Sequence, residues 1–216
     1  MFIGHYALAF AAKKAAPRAN LGLLLLATSW IDMVWPVMLL LGWERVRIAP
    51  GATAYTPLVF ESYPWTHSLA LTVLWGLLVG GAALVWTRDR RTALAAGLLV
   101  VSHWVLDWIS HAPDLPLWPG SSRFGLGLWN SVAATVAVES ALFVGGLALF
   151  LGATRARGPM GHVALWSLVG TFAFMYAGNS LGLAVPPSER VLALSALIGW
   201  LPPVWGLWIE ATRRLR

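Results

Sequence analysis

Residues 20–41 read NLGLLLLATSWIDMVWPVMLLL, an apolar run interrupted by a single ionisable side chain, Asp32. A helix needs about 20 such residues to cross the hydrocarbon core of a bilayer. In that solvent, helix is the conformation that satisfies its own backbone hydrogen bonds. Five more stretches meet the same condition, at approximately 67–87, 92–111, 130–153, 161–183 and 191–211. The expected fold class is therefore all-α: a polytopic integral membrane bundle of about six transmembrane helices, forming one domain over residues 1–216. Composition agrees, since 58% of the residues are hydrophobic and 11% are charged, whereas a soluble domain carries about 25% charged residues.

The placement of charge orients the bundle. Lys13, Lys14 and Arg18 precede the first run, and Arg88, Arg90 and Arg91 separate the second from the third. Arg155 and Arg157 separate the fourth from the fifth, and Arg213, Arg214 and Arg216 end the chain. Basic residues concentrated on alternate loops follow the positive-inside rule, which puts both termini on the cytoplasmic side of the cell's inner (plasma) membrane. The net charge of +6 thus reflects topology. The expected partner is the lipid bilayer, and nucleic acid is not expected.

Residues 1–12, MFIGHYALAFAA, are apolar but too short to span, and they lack the basic start of a cleaved signal peptide. Two readings remain open. The segment lies along the cytoplasmic surface, anchored by Lys13 and Lys14, or it is a re-entrant half-helix. In the second case the eight residues from Lys13 to His5 would rise roughly 12 Å, towards the bilayer middle. Gly76 and Gly80 offer a close-packing seam, and Pro202 and Pro203 should kink the last span. Trp65, Trp86, Trp118 and Trp129 fall near expected interfaces. The loops 42–66 and 112–129, rich in Pro and Gly, read as ordered caps over the outer face. The chain has no cysteine, so any metal must be held by nitrogen and oxygen.

Ionisable side chains inside a span cost about 2.5–3.5 kcal/mol each on insertion scales and mark functional sites by default. Here they are Asp32, His103, Asp107 and Glu139, with His67 and His111 at span ends. The segment SHWVLDWISHAPDLPLWPG sets His103, Asp107 and His111 at i, i+4 and i+8 on one helical stripe. His103 and Asp107 can share an ion, whereas His103 and His111, roughly 12 Å apart along the axis, cannot. Counted from the outer ends of their spans, Asp32 lies roughly 15 Å deep, His103 roughly 12 Å and Glu139 roughly 14 Å. Three helices therefore present such groups at one level of the outer-facing half. His67, within SYPWTHSL, could cover that level from above, and His5 would reach it from below if the first helix dips. No Lys or Arg lies in a span core, so the carboxylates call for positive charge that a divalent ion supplies. Each group also has an ordinary reading: packing histidine, helix-capping Asp32, packing or proton-relay Glu139, and loop residues His111 and Asp114.

The order GHYALAF, then ID followed by WP, then THSL, then SHWVLDW resembles the YdjM-like family of inner-membrane-associated, metal-dependent hydrolases. The resemblance covers roughly residues 1–120 and implies His5, Asp32, His67, His103 and Asp107 as metal ligands, with a dipping first helix. WIDMVWP offers one carboxylate where the family tends to show a denser acidic cluster followed by a histidine. More distantly, the order is similar to that of helical zinc phospholipase C and P1-type nucleases, which implies phosphoester substrates.

The resulting expectation is a membrane-bound metal-dependent hydrolase. Zn²⁺ is the first choice of ion, with Mn²⁺ or Fe²⁺ possible. Asp32 or Glu139 would be the general base and His111 the proton donor to the leaving group. Arg123 and the fourth span's N-terminus at Asn130 would meet an anionic phosphoester or lipid-linked substrate. Two rivals stay open. Buried Asp32, Asp107 and Glu139 could serve an ion- or proton-coupled transporter, although no inverted repeat is visible. His67 and His103 could ligate haem, although their depths differ.

Overall fold

The computed structural model describes residues 1–183 and 185–216. In chain order α1 (Ile3–Ala15) and α2 (Leu21–Leu40) are followed by an antiparallel hairpin, β1 (Arg45–Ile48) and β2 (Leu58–Ser62). A single turn, α3 (Pro64–His67), leads into α4 (Leu69–Thr87) and α5 (Arg90–Ser110). The short pair β3 (Leu115–Pro116) and β4 (Arg123–Phe124) precedes α6 (Val132–Ala153), β5 (Thr154–Ala156) and α7 (Pro159–Ser180). The last apolar segment, Glu189–Thr212, consists of α8 (Glu189–Ala196), a 3-10 turn over Leu197–Trp200, and α9 (Leu201–Thr212). Pro202 and Pro203 cannot donate to the carbonyls four residues back, which accounts for the break. The strand β6 (Arg213–Leu215) closes the chain against β5.

Six helical segments are long and apolar enough to cross a membrane, and each falls within a few residues of its expected span. Their outward faces are apolar; on α4, Leu77 is 69% and Val85 80% exposed. Such a surface is stable against lipid rather than water. Polar caps satisfy helix starts that apolar surroundings would leave unpaired. Asn20, Ser68, Asp89, Ser131 and Ser188 each accept a hydrogen bond from an amide in the first turn.

Glycines let the backbones approach. Gly76 and Gly80 of α4 face Gly97 and Ala93 of α5, where a Cβ on Gly76 would sit 2.9 Å from the Gly97 carbonyl oxygen. Gly146 of α6 faces the Ala7 carbonyl of α1. That contact belongs to the main departure from a surface-lying first helix: α1 is inserted into the bundle against α2, α5 and α6. Ala7, Ala9 and Phe10 are buried. Lys13, an expected surface anchor, is 2% exposed. Its ammonium reaches Glu210 Oε1 at 2.7 Å and the Ala19 carbonyl at 2.6 Å. The charge is buried because both partners are supplied at the arginine-rich end, where α9 and the β5–β6 pair also lie.

Trp65, Trp86 and Trp118 are exposed, as interface residues should be. Trp129 instead turns inward and packs on the Tyr55 and His111 rings.

The α1–α6 crossing generates a paired test. Gly146→Ala should destabilise the protein by about 1–3 kcal/mol, the usual cost of overpacking. Gly145→Ala, whose new methyl meets open space, should be neutral. Thermal unfolding of both in detergent measures the difference.

Candidate metal centre

Four side chains from three elements converge within the bundle: Asp32 from α2, His67 from α3, and His103 with Asp107 from α5. His103 Nε2 stands 3.4 Å from Asp32 Oδ1 and 3.1 Å from Asp107 Oδ2. His67 Nε2 is 3.7 Å from each of the same two oxygens. Donors bonded at 2.0–2.2 Å to one tetrahedral zinc stand roughly 3.3–3.6 Å from each other. The four observed edges therefore have the size of an ion's coordination shell. His5 joins from α1: its Nε2 lies 3.1 Å from Asp107 Oδ1, the second carboxylate oxygen. Its ring stacks on His103 with centroids 3.8 Å apart. Two overlapping groups could each hold a metal ion, His5–His103–Asp107 and Asp32–His67–His103. One lone pair on His103 serves one ion, so the groups compete for it. The Met1 amino group also pairs with Asp107 and lies 3.1 Å from Ser110 Oγ.

The backbone and a surrounding layer of polar groups aim these donors. His103 Nδ1 donates to the Thr28 carbonyl at 3.0 Å, which turns Nε2 towards the two carboxylates. Among the described residues, His103 Nε2 has no hydrogen-bond partner. The Thr28 hydroxyl donates to the His5 carbonyl at 2.8 Å, tying α1 to the same point of α2. One turn beyond Asp32, Pro36 sits inside the helix and withholds the amide that would bond the Asp32 carbonyl. His67 is held through a chain. Its Nδ1 donates to Thr66 Oγ1 at 2.7 Å, and that hydroxyl donates to Glu44 Oε2 at 2.7 Å. Glu44 Oε1 accepts the Thr66 amide at 2.8 Å. Burial pushes the Glu44 carboxyl above its ordinary range, an effect opposed by His67 and the Thr66 hydrogen bonds.

His111 follows the last turn of α5, where its Nδ1 meets Asp114 Oδ1 at 3.0 Å. The Tyr63 hydroxyl donates to the same oxygen at 2.5 Å. Burial raises the Tyr63 phenol well above its usual range, and the Asp114 charge raises it further, so it stays a donor. His111 Nε2 lies 3.9 Å from Asp107 Oδ1, beside the other ligands. A cavity of about 610 Å³ touches His5, Asp32, His67, Asp107 and His111, a volume suited to a small-molecule ligand. The Asp32 side chain is 47% exposed, and that exposure opens on this cavity.

Three expected site residues lie elsewhere. Glu139 Oε2 accepts the Phe2 amide at 2.8 Å and the Gly4 amide at 3.1 Å. It caps the N-terminus of α1, where the helix dipole favours a negative charge, and is not among the grouped ligand atoms. Arg123 donates to the Phe60 and Glu61 carbonyls and holds the β1–β2 hairpin. Asn130 is exposed, and neither it nor Arg123 lines the cavity. Equal depth along a helix does not fix the direction in which a side chain points, which is why Glu139 looked like a companion of Asp32. The His67 and His103 rings, with centroids 5.6 Å apart and in edge contact, leave no plane between them for a haem.

Glu44, Thr66, Thr28 and Tyr63 were not legible as site residues. Glu44 sits next to Arg45 in a polar loop and reads as a solvated acid until its burial is known. No family model, curated protein or solved structure matches the chain, so the chemistry rests on these side chains.

Groups that orient ligands are worth about 10–100-fold in metal affinity. If the group holds a divalent ion, Glu44→Gln and Thr66→Val should weaken its binding by that order while leaving the fold intact. Chelator competition against the unaltered protein measures it, with circular dichroism as the fold control.

Proposed function

We propose that the protein is a membrane-bound metal-dependent hydrolase acting on an ester or phosphoester of a lipid-linked substrate, with the site in the outer-facing half and both termini cytoplasmic. One observation carries the reading. A buried imidazole nitrogen without a hydrogen bond faces two carboxylates at 3.1 and 3.4 Å, while its other nitrogen is committed to the Thr28 carbonyl. Nε2 and the two carboxylates can share a proton or a divalent cation, and the further donors that converge there, His67 and His5, favour the ion. The donor set of imidazole and carboxylate suits Zn²⁺, with Mn²⁺ and Fe²⁺ sharing the preference.

Asp32, His67, His103 and Asp107 would hold the ion, with His5 on the second oxygen of Asp107. A divalent ion in such a site polarises the scissile group and lowers the pKa of water to about 7. Asp32, the ligand most open to the cavity, accepts the proton of the attacking water. His111 hands a proton to the leaving group; Asp114 and Tyr63 keep its ring in register. The apolar walls exclude bulk water, which strengthens each of these electrostatic interactions. Arg123 has no part in this scheme, because its guanidinium is spent on the hairpin.

Elemental analysis tests the site. The purified protein should carry stoichiometric metal, His103→Ala and Asp107→Ala should lose it, and Arg123→Ala should keep it. A metal-free wild type indistinguishable from His103→Ala would refute the proposal. His111→Gln should retain the metal yet lower turnover by about 10²–10⁴-fold, the range of general acid–base catalysis; an unaffected rate would remove His111 from the mechanism.

A further inference from the structure

The cavity is much longer than the ligand group at its inner end. Beyond the carboxylates and imidazoles, its walls are Leu168, Phe172 and Met175 of α7 facing Ile198, Leu201 and Trp205 of the broken last segment. The two walls meet low in the bundle, where Trp205 Nε1 donates to the Ala164 carbonyl at 3.1 Å. Higher up, α8 packs on α2 and β1 rather than on α7, which leaves a gap. Met175, Ile198 and Leu201 line the cavity and remain exposed. The gap lies between two segments long and apolar enough to cross a membrane.

Its dimensions and charge specify an occupant. From Leu168 to Asn179, the lining stretch of α7, the helix rises roughly 16 Å, close to one leaflet of a hydrocarbon core about 30 Å thick. No Lys or Arg lines the cavity among the described residues, so nothing there would draw a free, water-soluble anion. We infer that this slot seats the acyl chain of a membrane lipid, which slides in between α7 and α8–α9 and brings its hydrolysable linkage to the Asp32–His67–His103–Asp107 group. The inference rests on the hydrolase reading and names its substrate class. Lipid tails are as apolar as these walls, so seating one gains little affinity. The gain lies in orientation, which appears as rate.

The test uses the full chain in phosphatidylcholine vesicles doped with a lipid carrying a diazirine at the end of its acyl chain. Photolysis should label peptides spanning 168–179 and 192–205. Ala196→Phe and Thr171→Phe, which narrow the slot from its two sides, should abolish that labelling while adducts on the outer face of α4 persist. In the metal-loaded protein the same variants should lower the ratio of long-chain to short-chain ester turnover roughly tenfold or more. Metal content and thermal unfolding verify that the variants are folded. Slot labelling that neither variant reduces, or turnover indifferent to chain length, overturns the acyl seat even if hydrolysis is observed. Slot labelling lost in the variants, with no turnover of any ester or phosphoester by metal-loaded wild type, overturns the hydrolase reading and leaves the lipid seat standing.

Discussion

Two carboxylates, Asp32 and Asp107, face the same imidazoles inside a bundle whose spans carry no Lys or Arg in their cores. Buried charge without compensation is among the costliest arrangements a protein can adopt. Asp107 Oδ1 meets the Met1 nitrogen and His5, while Asp32 Oδ1 and Asp107 Oδ2 face the Nε2 atoms of His67 and His103. A divalent ion, which this group could hold, would relieve this, and the remaining parts are placed so as to keep its donors still.

That holding is distributed over unrelated segments. Thr28 receives His103 through its carbonyl and fixes His5 through its hydroxyl, so one residue of α2 registers both α1 and α5. Glu139 anchors the start of α1 from α6, and Gly146 permits the approach that makes this possible. Glu44 and Thr66 do for His67 what Thr28 does for His103. His67 and His103 thus spend Nδ1 so that Nε2 points to a common centre, as metal-binding histidines require, while His5, pinned through its backbone, faces the other oxygen of Asp107. The broken last segment has a separate consequence: where it parts from α7, the cavity beside the site gains apolar walls.

The spans were legible because hydrophobic length is a one-dimensional property: about 20 apolar residues state their own solvent. The resemblance in residues 1–120 and the His-x3-Asp spacing named the five side chains, His5, Asp32, His67, His103 and Asp107, that the tertiary structure brings together. The sequence alone left α1 undecided between lying on a surface and dipping inward, since a short apolar stretch ending in two lysines is compatible with both. Lys13 pairs with Glu210, almost the whole chain away, and no local pattern encodes that contact.

By itself, then, the sequence determined the membrane class, the approximate spans, their alternating charge and the donor types available for a metal. Those are consequences of composition and period, which neighbouring residues carry. Which donors share an ion, whether Glu139 is a ligand or a cap, where Arg123 spends its charge, and that Glu44 is buried at all were decided by the tertiary structure. Each depends on the rotation of one helix against another, and a rotation of half a turn changes no residue in the chain.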